Sequence, residues 1–371
     1  MQLRPSILLI LAFTVLSAAT NNKSETFYNP ILKEAGIKKF SESGSEELDR
    51  ILQDKKTKQF TIGKSKQGRV IEAFYFPGTS DKRALVIGGM HGSELSSIEV
   101  ARELLLQLTK NDSTYYNVII IPSLFPDNAE QARQNPSLIG SVENIGRYSY
   151  PGAVDPNHQM PTPGKAFDED NCLDHAGRKT ETENAILLDL IGQYRPQRIV
   201  NLHAIRTIEN AGVYADPRTD HNGVALGYES DSSLAISIAQ FISAKGGYVP
   251  GNRLRSKPSA LYYKDPLPVQ KGLLQRRNMS GSPMPGHKGG GVSIGTWAST
   301  SVMDETHPTK NRDAIRLITV EFPGSKRPVD YLYPHQQYYC QQQIERYAAA
   351  LKAIFLGEYF VEDPSLVVAV R

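Results

Sequence analysis

The feature that most constrains this chain is a set of four short, largely apolar runs, Ala84–Gly89, Asn117–Ser123, Arg198–Leu202 and Arg316–Glu321, set between stretches with helical periodicity. Apolar runs of this length with little alternation read as strands buried on both faces, and such strands need helices above and below the sheet. The intervening stretches supply them. From Glu94 to Leu108 the residues Leu95, Ile98, Ala101, Leu105 and Leu108 recur at helical spacing, and further helices are predicted over 182–194, 232–244 and 335–355. Two more runs, Gln59–Gly63 and Arg69–Phe76, alternate in polarity around Lys64–Gly68 and read as a hairpin. Strands alternating with helices predict one α/β domain with a mostly parallel, mixed central sheet.

With 371 residues, 40% hydrophobic and 22% charged, the chain has ordinary globular composition, which excludes a disordered protein. Its 42 basic and 39 acidic residues nearly balance, leaving no electrostatic footprint for a nucleic-acid partner. Arg4, the apolar stretch Ser6–Val15 and the small residues Ser17-Ala18-Ala19 form a secretory signal. Its apolar part is too short for the roughly 20 residues of a spanning helix, and no later stretch suits one. The reading is therefore a cleavable signal over 1–20, with a secreted or periplasmic product and no membrane insertion after cleavage. A polar N-terminal segment follows over 21–58, with a helix near Glu46–Gln53, then the main α/β domain over 59–358 and a tail over 359–371. Cys172 and Cys340 permit one disulfide without specifying it. Residues 124–179 and 246–300 read as long loops, which in a compact domain are usually functional.

The first apolar run ends at His91-Gly92-Ser93-Glu94, the third at His203 and the fourth at Glu321. With 8 histidines and 39 acidic residues, a His-x-x-Glu spacing arises about once by composition alone, so the motif by itself carries little. Position carries more. Ligands of open α/β sheets bind outside the carboxyl ends of the strands, where all three segments fall. Two imidazoles and a carboxylate, with a fourth position left for water, are the ligand set of a hydrolytic zinc, and Glu321 is placed to serve as general base.

On these residues the chain resembles the zinc carboxypeptidases of the M14 family, in its bacterial-type branch, over roughly residues 60 to 355. The resemblance extends to Thr319-Val-Glu-Phe-Pro-Gly324, to a turn at Pro126-Asp127-Asn128, and to Gly291–Ala298 ahead of the base. It implies an α/β/α sandwich, one zinc per chain held by His91, Glu94 and His203, and Glu321 as the base. It also implies an arginine that stabilises the oxyanion, either Arg147 or Arg133, with Arg147 favoured because it lies nearer the Asn157 segment. Ser93 stands where animal digestive members carry another arginine. Asn157 fits the pair that holds the substrate's terminal carboxylate, but His158 replaces the expected arginine, giving up a fixed bidentate cation. Trp297 falls where the family places an aromatic over the substrate, or else anchors its loop in the core.

The expected activity is hydrolysis of the C-terminal bond of a short peptide, with a cell-wall fragment as a candidate partner. Two other readings stand beside it: a zinc amidohydrolase of the aspartoacylase and succinylglutamate desuccinylase type, and a silent peptide-binding relative. Nothing in the sequence sets the oligomeric state.

Overall fold

In the computed structural model of this protein, the described residues are 44–110, 113–252, 254 and 291–358. The signal over 1–20, the tail over 359–371, most of the 21–58 segment and most of the 246–300 stretch lie outside them.

The chain enters through helix α1 (Gly44–Asp54) and the strands β1 (Lys58–Lys64) and β2 (Val70–Phe76). Then come β3 (Arg83–Ile87), α2 (Leu95–Thr109), β4 (Asn117–Ile121) and α3 (Pro126–Arg133). After a long irregular stretch follow α4 (Thr182–Tyr194), β5 (Arg198–Ile205), β6 (Gly212–Ala215) and α5 (Tyr228–Ala244). The described part closes with α6 (Ile294–Ser299), β7 (Arg316–Pro323) and α7 (Pro334–Ala350), which continues as a π turn over Leu351–Phe355.

Seven strands form one mixed sheet in the order β1-β2-β4-β3-β5-β7-β6. The four in the middle, β4, β3, β5 and β7, are mutually parallel, and the outer strands β1, β2 and β6 run antiparallel to their neighbours. Alternate residues of each central strand serve opposite faces. Val86, Ile120, Leu202 and Val320 pack beneath α2, α5 and α7, whereas Leu85, Ile119, Ile199 and Leu317 pack against α1, α4 and α6. These are the two helical layers that unalternated strands require, and each such fully buried aliphatic side chain contributes about 1.5–3 kcal/mol by leaving water. The fold is the expected α/β/α sandwich.

Several expectations change in detail. The loop predicted from 124 opens instead with α3, so Pro126-Asp127-Asn128 is the first turn of a helix and not a free turn. Proline at the first helical position and an acid beside it are ordinary helix-start signals. Strand β6 and helix α6 lay within stretches without periodicity, being only 4 and 6 residues long. Strands β5 and β7 run past His203 and Glu321, so these two residues sit inside their strands, directly opposite one another in register. Cys172 packs on the α4 side of the sheet and Cys340 in the core on the other, and both are free thiols.

Connectivity places the site. From β3 the chain passes through α2 to β4 on one side, and from β4 it returns through α4 on the other helical layer to β5, on the opposite side of β3. The carboxyl ends of β3 and β5 therefore flank a topological switch point, where a crevice opens in sheets of this kind.

Candidate metal centre

His91 lies four residues beyond the end of β3, in a loop that must pass close to α3. A Cβ on Gly92 would come 2.2 Å from the Ala129 backbone nitrogen, so only glycine allows the approach. Glu94 caps the start of α2, and its carboxylate turns back over the strand ends. Because β3 stops at Ile87, paired with Asn201, while β5 continues to Ile205, the Ala204 N–H has no strand partner and donates to Glu94 Oε2 at 3.0 Å. His203, two residues after Asn201 on β5, presents its ring on the same face of the strand.

These side chains converge. His91 Nδ1 lies 2.9 Å from Glu94 Oε1, His203 Nδ1 lies 3.0 Å from Glu94 Oε2, and the two Nδ1 atoms are 3.1 Å apart. All three residues are buried, and their potential ligand atoms fall within 4.8 Å of one another.

The outward nitrogens are also occupied. Asp155 Oδ1 accepts from His91 Nε2 at 2.7 Å, which fixes the proton on Nε2 and leaves a lone pair on Nδ1. His203 Nε2 lies 2.8 Å from the Asn201 amide, whose Oδ1 is buried without a partner. Turning that amide over, together with the Asn157 amide that meets it, lets Oδ1 accept from Nε2–H and from Asn157, and His203 Nδ1 then faces the cluster with its lone pair as well. Two imidazole nitrogens and a carboxylate aimed at one another form the donor set of a divalent cation, which a proton on His91 Nδ1 replaces when no metal is bound. The residues present therefore fit a zinc.

Electrostatics agree with the geometry. Burial lowers the His91 imidazole, but the carboxylates of Glu94 and Asp155 overcome it and raise the pKa to about 9. Burial pushes Glu94 up, and the facing His91 and His203 pull it well below the usual carboxylate range. Asp155 is lowered in the same way, against burial, by His91 and by Arg147. The Arg147 guanidinium bridges both acids, with Nη1 donating to Glu94 Oε1 at 2.8 Å and Nη2 to Asp155 Oδ2 at 3.0 Å. Its loop is set by Gly146, whose carbonyl accepts from Ser93 N at 3.0 Å and whose φ of +80° favours glycine.

Glu321 is the Cα partner of His203 across β5 and β7, so both side chains leave the same face of the sheet. Its carboxyl is raised above the ordinary value, first by burial, with His203 opposing. A cavity of about 370 Å³ opens over the group, lined by His91, Glu94, His203, Arg147, Asn157 and Glu321 among others.

Of the residues expected from sequence, three do not line this cavity. Arg133 lies at the end of α3, 3.7 Å from Glu130 and beside Arg102 and Arg327, away from the strand ends. Trp297 is only 2% exposed, packs in the core and donates its ring N–H to Lys165 O at 3.0 Å, so it anchors α6. His158 ends the 3-10 turn Pro156–His158, and the residue of that turn that reaches the cavity is Asn157.

Asp155 and Asn201 went unassigned in the sequence, although each carried a signal. Asp155 precedes a proline and caps the 3-10 turn by accepting from Asn157 N at 2.9 Å, which is how its carboxylate is held toward His91. Asn201 is two residues from a strand histidine and thus shares its face.

Residues 47–225 match the family of zinc carboxypeptidases, Peptidase_M14. That span takes in His91, Glu94, Arg147, Asn157 and His203 and ends before Glu321. Among solved structures it resembles carboxypeptidase A from Helicoverpa armigera, with 13% identity, 84% of this chain and 72% of the other covered, and a TM-score of 0.44. It also resembles a metallo-carboxypeptidase from Pseudomonas aeruginosa in complex with (2-guanidinoethylmercapto)succinic acid, at 14% identity, 85% and 69% coverage and a TM-score of 0.42. A third similar structure, from Shewanella amazonensis, is assigned to the succinylglutamate desuccinylase/aspartoacylase family, at 13% identity, 81% and 73% coverage and a TM-score of 0.41. A comparison with curated proteins found no match.

Proposed function

We propose that this chain is an exported zinc metallopeptidase that hydrolyses the C-terminal bond of a short peptide. The observation that carries the reading is the convergence of His91 Nδ1, the Glu94 carboxylate and His203 Nδ1, with Glu321 one strand away on the same face. Zinc held by those three residues would polarise a scissile carbonyl and acidify water.

The chain's own groups supply the rest. Glu321, whose carboxyl burial raises above its ordinary value, accepts the proton of the attacking water and returns it to the departing nitrogen. Arg147 spends two donors on Glu94 and Asp155 and keeps others in its planar fork for the carbonyl oxygen as charge develops there. Asn157 lines the cavity, and we assign it to hold the terminal carboxylate. Export rests on the N-terminal leader, and no helix among the described residues is long and apolar enough to cross a membrane.

A second reading is hydrolysis of an N-acyl amino acid. It draws support from the missing guanidinium beside Asn157, since a pocket without that fork holds a free carboxylate less firmly.

Metal analysis of the purified protein, followed by short peptides and N-acyl amino acids with and without a chelator, separates the readings. Chelator-sensitive release of a C-terminal residue is the expected result; absence of metal with every substrate intact would leave only peptide binding. Glu321→Gln should retain zinc while losing about 10²–10⁴-fold in kcat. A variant that kept its turnover would remove Glu321 from the role of base.

A further inference from the structure

We propose that Arg206 is a specificity-determining residue that binds an anionic side chain on the N-terminal side of the cleaved bond, so that the preferred substrates are peptides carrying an acidic residue there. The inference rests on the hydrolase reading above and adds to it the charge of the substrate.

Two arginines line the cavity, Arg147 and Arg206, and they are not equivalent. Arg147 has its charge balanced by Glu94 and Asp155, which its two terminal nitrogens meet. Arg206 is exposed and, among the described residues, lies within ion-pair distance of no carboxylate. Among the described residues, the acids lining the cavity are Glu94 and Glu321, and Glu94 is already taken by His91, His203 and Arg147.

Charge accounting leads the same way. Against Arg147 stand Glu94, Asp155 and Glu321, a deficit that a divalent ion at the His–Glu–His set would balance. Arg206 is then the surplus charge of the site, and a surplus cation at the mouth of a cavity attracts an anion.

Strand β5 gives the direction. The Asn157 side chain is hydrogen-bonded to Asn201 at 3.2 Å, two residues before His203, whereas Arg206 follows His203 by three. Arg206 is the first residue past the end of β5 at Ile205, and at about 3.3 Å per residue the strand carries the chain about 13 Å from Asn201 to Ile205, with His203 between them. A substrate whose terminal carboxylate meets Asn157 therefore extends its preceding residues toward Arg206. A guanidinium reaches an acidic side chain in the first or second of them, and its fork suits a carboxylate.

The test uses two pairs of peptides, differing only as Glu or Gln at the first or at the second position before the terminal bond. Binding is measured by calorimetry on the zinc-loaded full chain carrying Glu321→Gln, with and without Arg206→Gln or Arg206→Lys, and cleavage is followed separately in the unsubstituted protein. We expect the Glu peptide of at least one pair to bind about 5–10-fold tighter than its Gln partner at low salt, with the ratio shrinking as salt is raised. Arg206→Gln should bring that ratio to about 1, and Arg206→Lys should restore part of it. Equal Kd values within both pairs, a preference that survives Arg206→Gln, or failure of all the peptides to bind would overturn the proposal. Loss of the hydrolase reading would show differently, as absence of cleavage by the unsubstituted protein while the Kd ratio is still read.

Discussion

At the scale of single residues, the proposed metal centre depends on groups outside its ligand set. Asp155 holds the His91 ring by its Nε2, and loss of such an orienting carboxylate typically weakens metal binding 10–100-fold. Asp155→Asn keeps the cap of the 3-10 turn but not the charge; zinc competition with a chelating dye should show a loss in that range, and unchanged affinity would deny Asp155 an orienting part. Asp216 behaves differently. It is enclosed between Thr319, whose hydroxyl donates to it at 3.2 Å, and Gly295, where an added Cβ would fall 2.5 Å from Oδ1. Burial pushes its carboxyl up to about 6, above the unfolded value of about 3.8. Its contribution to stability is thus fully present below about pH 4 and lost as pH rises through 6. In the metal-free protein, Asp216→Asn should raise Tm by about 2–4 °C at pH 8 and by little at pH 4; equal shifts at both would dismiss the ionisation as the cause. The ligands were legible in the sequence because each follows or ends an apolar run. Asp155 and Asn201 were not, since an acid before a proline and an amide in a strand become informative only when folding brings a histidine to them.

Among the elements, the close packing of α3 against the 91–94 loop decides whether the ligands meet. Gly92→Ala would drive a methyl to within 2.3 Å of the Asn128 carbonyl carbon, a backbone atom that cannot yield without moving the helix. The expected cost is about 1–3 kcal/mol, accompanied by weakened zinc binding, both measurable by denaturant unfolding and metal titration. A variant with the original midpoint and affinity would show that the loop has slack. The four central strands were readable because burial on both faces leaves an unbroken apolar signature. α3 was not, because its sequence Pro-Asp-Asn-Ala-Glu-Gln-Ala-Arg offers only two small apolar residues, and β6 is too short for any period to register. Arg133 went elsewhere than the cavity because it closes α3, the helix without a readable period, and His158 and Trp297 because their positions depend on the path of long, largely irregular segments, which spacing does not encode.

For the molecule as a whole, the proposed zinc and a proton compete for the same nitrogen. His91 without metal titrates near 9, above its unfolded value of 6.5, so the proton stabilises the metal-free fold below about pH 6.5 and ceases to do so as pH rises through 9. Zinc must displace that proton, so its affinity, and the stability it confers, increase over the same interval. Chelation should therefore lower Tm by roughly 10 °C at pH 8.5 and by distinctly less at pH 6.5, as followed by calorimetry. A loss that did not vary with pH would separate metal binding from the His91 proton.

The early end of β3 has a consequence of its own. Where that strand stops, β5 continues alone, and the sheet's rim has a notch filled by the carboxylate of Glu94 on the Ala204 amide in place of a neighbouring backbone. A chain whose third strand ran two residues further would heal the notch, seal that amide within the ladder and leave the carboxylate no seat. The chemistry of the rim is in this sense set by strand length, and it can be lost through a change that adds hydrogen bonds and removes no functional side chain.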